Sequence, residues 1–130
     1  MDVLDWETLL IPELPASTVN RAVSRVQWVL ANAEFGPAGS QWTREAVLHT
    51  LALGRLRQGR LAEAEELCEP ILAQPGLPAA ARATVLATIA LARHGAGLPH
   101  ETVLAEARFL DPDADLVAEA TGARQPQGVA

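Results

Sequence analysis

One stretch of this chain occurs twice, and the repeat limits what the chain can fold into. Residues 44–63 align with residues 82–101 at a shift of 38 positions, and nine of the twenty aligned pairs are identical. The identical pairs are Arg44/Arg82, Val47/Val85, Leu48/Leu86, Thr50/Thr88, Ala52/Ala90, Leu53/Leu91, Arg55/Arg93, Gly59/Gly97 and Glu63/Glu101. Self-similarity at a period of about 20–50 residues is typical of stacked structural repeats, many of them helical hairpins. The repeat therefore predicts an all-α architecture.

The composition fits a single helical domain. The chain has 130 residues, of which 49% are hydrophobic and 20% are charged, so it can form a globular core and is not expected to be disordered. Alanine is abundant and is the strongest helix former. All ten cationic side chains are arginines. The excess of alanine and arginine suggests a GC-rich bacterial genome.

Charge and hydropathy exclude several classes of function. The net charge is −6, and an acidic chain with dispersed arginines is a poor ligand for nucleic acid or for an anionic membrane surface. No segment has the 18 or more apolar residues of a membrane span. The first seven residues lack the basic and apolar regions of a signal peptide. With a single cysteine as well, we expect a cytoplasmic protein.

Prolines and glycines separate about six predicted antiparallel helices, which form one domain, residues 1–122. Each repeated hairpin has a first helix (about 41–58 and 79–94), which we call an A helix, followed by a second. Gly59 is expected to end the first A helix in the left-handed conformation. The predicted parts are N-terminal helices in 1–40, repeat 1 in 41–76, repeat 2 in 79–112, a capping helix in 112–121 that Gly122 stops, and a flexible tail in 123–130.

The helix-packing positions resemble those of the tetratricopeptide repeat family over about residues 44–112. The matching residues of the first unit are Leu48, Leu51, Ala52, Gly59, Ala64 and Leu72. Those of the second are Leu86, Ile89, Ala90, Gly97 and Ala107, with Asp111 and Pro112 at its end. The period of 38 exceeds the family's 34 or so, and Arg55 and Arg93 stand where the family usually has an aromatic residue. The resemblance implies a short solenoid of stacked hairpins.

The resemblance also implies a binding surface, because the family's A helices line a concave groove. The predicted partner-binding residues, which we call the A face, are His49, Leu53, Leu56, Arg57, Ala87, Leu91 and His94. This surface is apolar, and the chain has none of the lysines with which the family's chaperone-tail binders hold a carboxylate. We therefore expect a non-catalytic module that binds a helix or peptide and scaffolds or regulates a partner protein.

Three other uses of the A face stay open at this point. The N-terminal segment could cover it, or two copies of the chain could bury it in a homodimer. From a different class of function, His49, Arg57 and His94 could line a small-molecule or enzyme-like pocket. No motif for phosphate, metal or nucleophilic chemistry is present, so we predict no enzyme activity, cofactor or metal.

Several remaining residues have both a structural and a functional interpretation. The pairs Arg55/Glu63 and Arg93/Glu101 are better explained as ion pairs across a helical turn than as repeated anion sites. His94, His100 and Glu101 lie close in sequence but lack a metal-ligand spacing.

Cys68 is expected to be a buried small hydrophobe. Glu63, Glu65, Glu66 and Glu69 form either a solvated face or a surface for an arginine-rich partner. Trp28 lies off the apolar stripe of its helix, so it either packs on another helix or anchors a partner.

Overall fold

A computed structural model describes residues 3–33 and 44–124, and these residues form seven α-helices without a strand. The helices are α1 (Val3–Leu9), α2 (Ala16–Asn32), α3 (Arg44–Arg57), α4 (Leu61–Leu72), α5 (Ala79–Gly95), α6 (Glu101–Leu110) and α7 (Asp115–Arg124). The predicted all-α fold is confirmed. The predicted start of the first hairpin at 41–43 and the tail from residue 125 lie outside the described residues.

The two repeated turns are built by the same backbone bonds. Gly59 and Gly97 have positive φ angles of 78° and 74° and follow α3 and α5. The N–H of Arg60 donates to the carbonyl of Arg55, and the N–H of Leu98 donates to that of Arg93, each at 2.8 Å. Such bonds occupy helix carbonyls that would otherwise lack a partner. The predicted left-handed end of the first A helix is therefore confirmed, and the second turn repeats it.

The last helix differs from its predicted bounds at both ends. It begins at Asp115 instead of residue 112, and it continues through Gly122 to Arg124. Gly122 is not among the glycines with positive φ, so it stays in the helical conformation and cannot form a left-handed cap. Glycine in a helix is unfavourable but tolerated, which is why the predicted stop was wrong here.

The helices pack as two interleaved sets. Helices α1, α3 and α5 each contact the next odd-numbered helix, up to α7. Each even-numbered helix packs against the odd-numbered helices before and after it, and within the described residues the even-numbered helices do not contact one another. Both A helices, α3 and α5, are therefore enclosed by neighbours on several sides, as their broad apolar faces predict.

Two clusters of buried apolar side chains lie between these helices. The larger cluster of buried side chains extends from Leu9 in α1 to Ala120 in α7 and includes Leu53 and Leu91. A smaller cluster lies between α3, α4 and α5 and contains Ala52, Cys68, Ile71, Val85 and Ile89. None of the described helices is both long enough and apolar enough to cross a membrane.

Candidate functional site

Most of the apolar side chains of the A face lie inside the protein. Leu53 and Ala87 are fully buried and Leu91 nearly so, while Leu56 is half-buried against the same core. Leu9 of α1 belongs to this cluster, as do Leu116, Val117 and Ala120 of α7. The chain's own α1 and α7 therefore pack on the helices that were expected to form a groove. A second copy could reach these apolar residues only if α1 or α7 moved away.

His49 is buried at the junction of α1, α3 and α5. Its Nε2 lies 2.8 Å from the hydroxyl of Thr88, and its ring centre lies 5.1 Å from that of Trp6. The Thr88 hydroxyl donates to the carbonyl of Thr84, so it accepts from an Nε2–H of His49. Burial lowers the pKa of His49 to about 4. The imidazole is therefore neutral at pH 7 and serves as a packing and hydrogen-bonding group.

Arg57 joins α1 and α7 to α3. Its guanidinium donates to the carbonyls of Leu9 and Leu10, at 2.7 and 3.1 Å, where α1 ends. It also binds both carboxylate oxygens of Glu119 in α7, at 2.6 and 2.7 Å. The Arg57 side chain is only 6% exposed. Sequence reasoning missed Glu119, because a contact between residues 62 positions apart leaves no local signal.

His94 lies apart from the other two candidate pocket residues. It is exposed at the end of α5, and its ring meets that of His100 edge-on at 5.0 Å. Two open cavities, of about 390 and 260 Å³, lie among the described residues. Arg57 lines the larger one, and neither cavity is lined by His49 or His94. The structure thus gives these three side chains separate partners instead of one convergent site.

Cys68 also lies outside any site for chemistry. Its side chain is buried between α3, α4 and α5. Burial, with smaller contributions from the charges of Glu65 and Glu69, raises the pKa of its thiol to about 12. A thiol that stays protonated is a poor nucleophile and metal ligand. The prediction of a buried small hydrophobe is confirmed. Within residues 3–33 and 44–124, no three or more His, Cys, Asp or Glu side chains are grouped to hold a metal.

The repeated arginines form two different kinds of ion pair. Arg55 lies 3.4 Å from Glu63 across the first turn, as predicted. Arg93 donates to both carboxylate oxygens of Glu65 in α4, at 3.0 and 2.9 Å. The second ion pair therefore joins two hairpins instead of bracing one. Helix α4 packs against both α3 and α5, which brings its Glu65 within reach of Arg93 in the next hairpin.

A few large apolar side chains are exposed at separate places in the described part of the chain. Trp28 is 66% exposed and Phe109 87% exposed, and Leu98 and Ile11 are about half exposed. Of the two roles that the sequence left open for Trp28, packing on another helix is not the one adopted. Glu63, Glu66 and Glu69 are exposed along α4, so most of the acidic run faces solvent.

The fold and contacts define this chain as an all-α protein whose helices pack around two clusters of buried apolar side chains. Comparisons with models of protein families, with curated proteins and with solved structures found no match.

Proposed function

We propose that this protein is a non-catalytic, tetratricopeptide-like interaction module of the cytoplasm, which binds a helix or peptide of another protein and thereby scaffolds or regulates it. The observation that carries the proposal is the row of odd-numbered helices in contact with one another, in which α3 and α5 end in equivalent turns at Gly59 and Gly97. Stacked hairpins of this kind present a continuous helical surface to a partner. The side chains of His49 and Cys68, which could in principle carry chemistry, serve packing instead, since His49 is neutral and Cys68 stays protonated.

The proposed binding surface is the A face, where the partner exchanges with α1. Helix α1 has only seven residues, and a helix of this length has little stability of its own. It covers the A face through Trp6 against His49 and Leu9 in the core. These two residues are three positions apart, the spacing at which an amphipathic helix places anchors on one face.

Helix α1 also indicates what the partner segment contains. Asp5 is buried, and the Nε of Arg25 donates to one of its carboxylate oxygens at 2.8 Å. A partner that replaces α1 therefore offers an acidic residue, an aromatic residue directly after it and a leucine three positions further on. In this order the acidic residue lies opposite Arg25, the aromatic residue opposite His49, and the leucine opposite the core around Leu53.

A peptide with the sequence of residues 3–14 tests this proposal in trans on the full chain. The variant Leu9→Ala weakens the packing of α1, so the site that α1 occupies on the A face is open in a larger fraction of molecules. The labelled peptide should therefore bind this variant about tenfold more tightly than it binds the wild type. Ile11→Ala is the matched control, because Ile11 is about half exposed just after α1. Fluorescence anisotropy gives both affinities.

The proposal fails if the Leu9→Ala protein remains folded and does not bind the peptide. It also fails if a scrambled peptide of the same composition binds equally well. A positive result provides a folded receptor for selecting natural partner segments from a helical peptide library.

A further inference from the structure

A second interaction surface lies on the outer side of α2, away from the A face. Arg21, Ser24 and Trp28 follow one another at spacings of three and four residues, and Arg25 lies beside Ser24, so all four share one side of the helix. All four are exposed, although Arg25 also binds Asp5. Helix α2 contains two arginines and no acidic residue. This side of an otherwise acidic protein is therefore basic, with a tryptophan at its end.

A complementary surface lies between α3 and α4 of the same chain. An open groove of about 260 Å³ is lined by Leu51, Arg55, Glu63, Glu66 and Leu67. Its size suits a single large side chain better than a drug-sized ligand. Glu66 and Glu69 on α4 are exposed, and neither has an ion-pair partner among the described residues. The groove thus combines two leucines with a rim on which Glu63 is paired with Arg55 and Glu66 supplies the acidic charge.

We propose that these two surfaces bind each other between two copies of the chain, with Trp28 of one copy in the α3/α4 groove of the other and Arg21 against Glu66. Both properties of the groove match α2, since its leucines suit the indole and its glutamates suit the arginines. Tryptophan and arginine are the residues that most often dominate binding energy at protein interfaces. Opposed charges also allow copies with a net charge of −6 to approach one another.

Contacts among residues 3–33 and 44–124 leave Trp28 exposed and give Glu66 no ion pair. Helices α2 and α4 both pack on α3 but not on each other within the described residues, and Trp28 does not line the groove. Phe109 is a poorer candidate for the same groove despite its greater exposure. Its helix, α6, carries both Arg108 and Glu106, so it has no single sign of charge to match an acidic rim.

Sedimentation equilibrium of the full chain over a concentration series tests the proposal. The wild-type mass should rise with concentration above the 13.8 kDa of one chain. Trp28→Ala should weaken the association about tenfold or more, because it removes the central anchor. Phe109→Ala is the matched control and should associate like the wild type, since it also removes one exposed aromatic side chain.

A charge exchange then tests the assigned register. Arg21→Glu and Glu66→Arg should each weaken the association about two- to fivefold, and the double variant should recover most of the loss because it restores opposite charges. Circular dichroism verifies that all variants are folded. A wild type that stays at 13.8 kDa, a Trp28→Ala protein that associates normally, or a double variant weaker than both single variants overturns the proposal.

This inference is independent of the proposed peptide binding. Trp28→Ala should leave binding of the 3–14 peptide unchanged, and Leu9→Ala should act only on the peptide. A failure of one assay is therefore distinguishable from a failure of the other.

Discussion

His49 contacts Trp6 and Thr88 inside the protein, although the sequence around it does not distinguish a buried histidine from an exposed one. Histidine on an A helix is compatible with a groove, a pocket or a core, since the ring is polar at its edge and apolar on its face. The apolar periodicity around it identifies a side that must be covered. It does not distinguish a cover supplied by a partner from one supplied by α1, and the same ambiguity applies to Leu53 and Leu91.

Burial of His49 predicts a loss of stability in weak acid. The pKa of His49 is about 4 in the folded chain, whereas the ordinary pKa of histidine, which applies to the unfolded chain, is 6.5. Between these two pH values the unfolded chain therefore binds a proton that the folded chain does not. Stability is therefore fully present above pH 6.5 and falls as the pH decreases towards 4, by up to about 3 kcal/mol from this group.

Urea unfolding at pH 7, 6 and 5 measures this effect, and His49→Gln isolates it. The wild type should lose about 2 kcal/mol more than the variant between pH 7 and pH 5, since glutamine has no proton to bind. Parallel pH profiles for the two proteins would contradict the assignment, and they would indicate that other groups cause any acid sensitivity.

At the scale of single elements, the repeat explains the turns well and the helix ends less well. Equivalent glycines after α3 and α5 give equivalent bonds, because only glycine adopts positive φ without steric cost. Gly122 has no such role and remains helical. A glycine alone does not reveal whether it is needed for φ, for close packing or for neither.

Gly54 is the glycine required for close packing between helices. A Cβ at this position would lie 2.6 Å from the Cγ2 of Val23, so the Val23 side chain or the helices α2 and α3 would have to shift. Gly54→Ala should therefore destabilise the protein by about 1–3 kcal/mol despite the better helix propensity of alanine. Gly122→Ala is the matched control, because nothing lies within 4 Å of the added Cβ.

The control should gain about 0.5–1 kcal/mol, since alanine favours the helix and meets no obstacle. Thermal and urea unfolding of both variants give the comparison. A stabilising Gly54→Ala would show that α2 and α3 have room to adjust and that the contact is not restrictive.

For the whole molecule, the contacts between distant segments decide whether the A face is open. Arg57 binds the end of α1 and the carboxylate of α7 from α3, so one side chain connects three helices. An arginine in a sequence appears as an exposed cation. Only the arrangement of the complete chain surrounds this one with carbonyls and a carboxylate.

Loss of this connection should affect the whole fold. Arg57→Met keeps the aliphatic part of the side chain but leaves Glu119 and two backbone carbonyls without their donor, at a cost of about 3 kcal/mol. Arg60→Met is the matched control, because Arg60 is about half exposed and its ion pair with Glu63 is solvated. It should change stability by less than about 1 kcal/mol.

Urea unfolding of the two variants and of the wild type measures the difference. Equal stability of the Arg57 and Arg60 variants would mean that solvent replaces the buried bonds, so that α1 and α7 are held by apolar packing alone.

The sequence by itself determined the all-α class, the two equivalent turns, the apolar sides of α3 and α5 and the burial of Cys68. These features depend on neighbours within one or two helical turns, so periodicity and backbone preference are enough to define them. Only the tertiary structure decided that α1 and α7 cover the A face, that Glu119 is the partner of Arg57, and that Trp28 is left exposed. These outcomes depend on which distant helices meet, and the free energy of such contacts has no local signature in the chain.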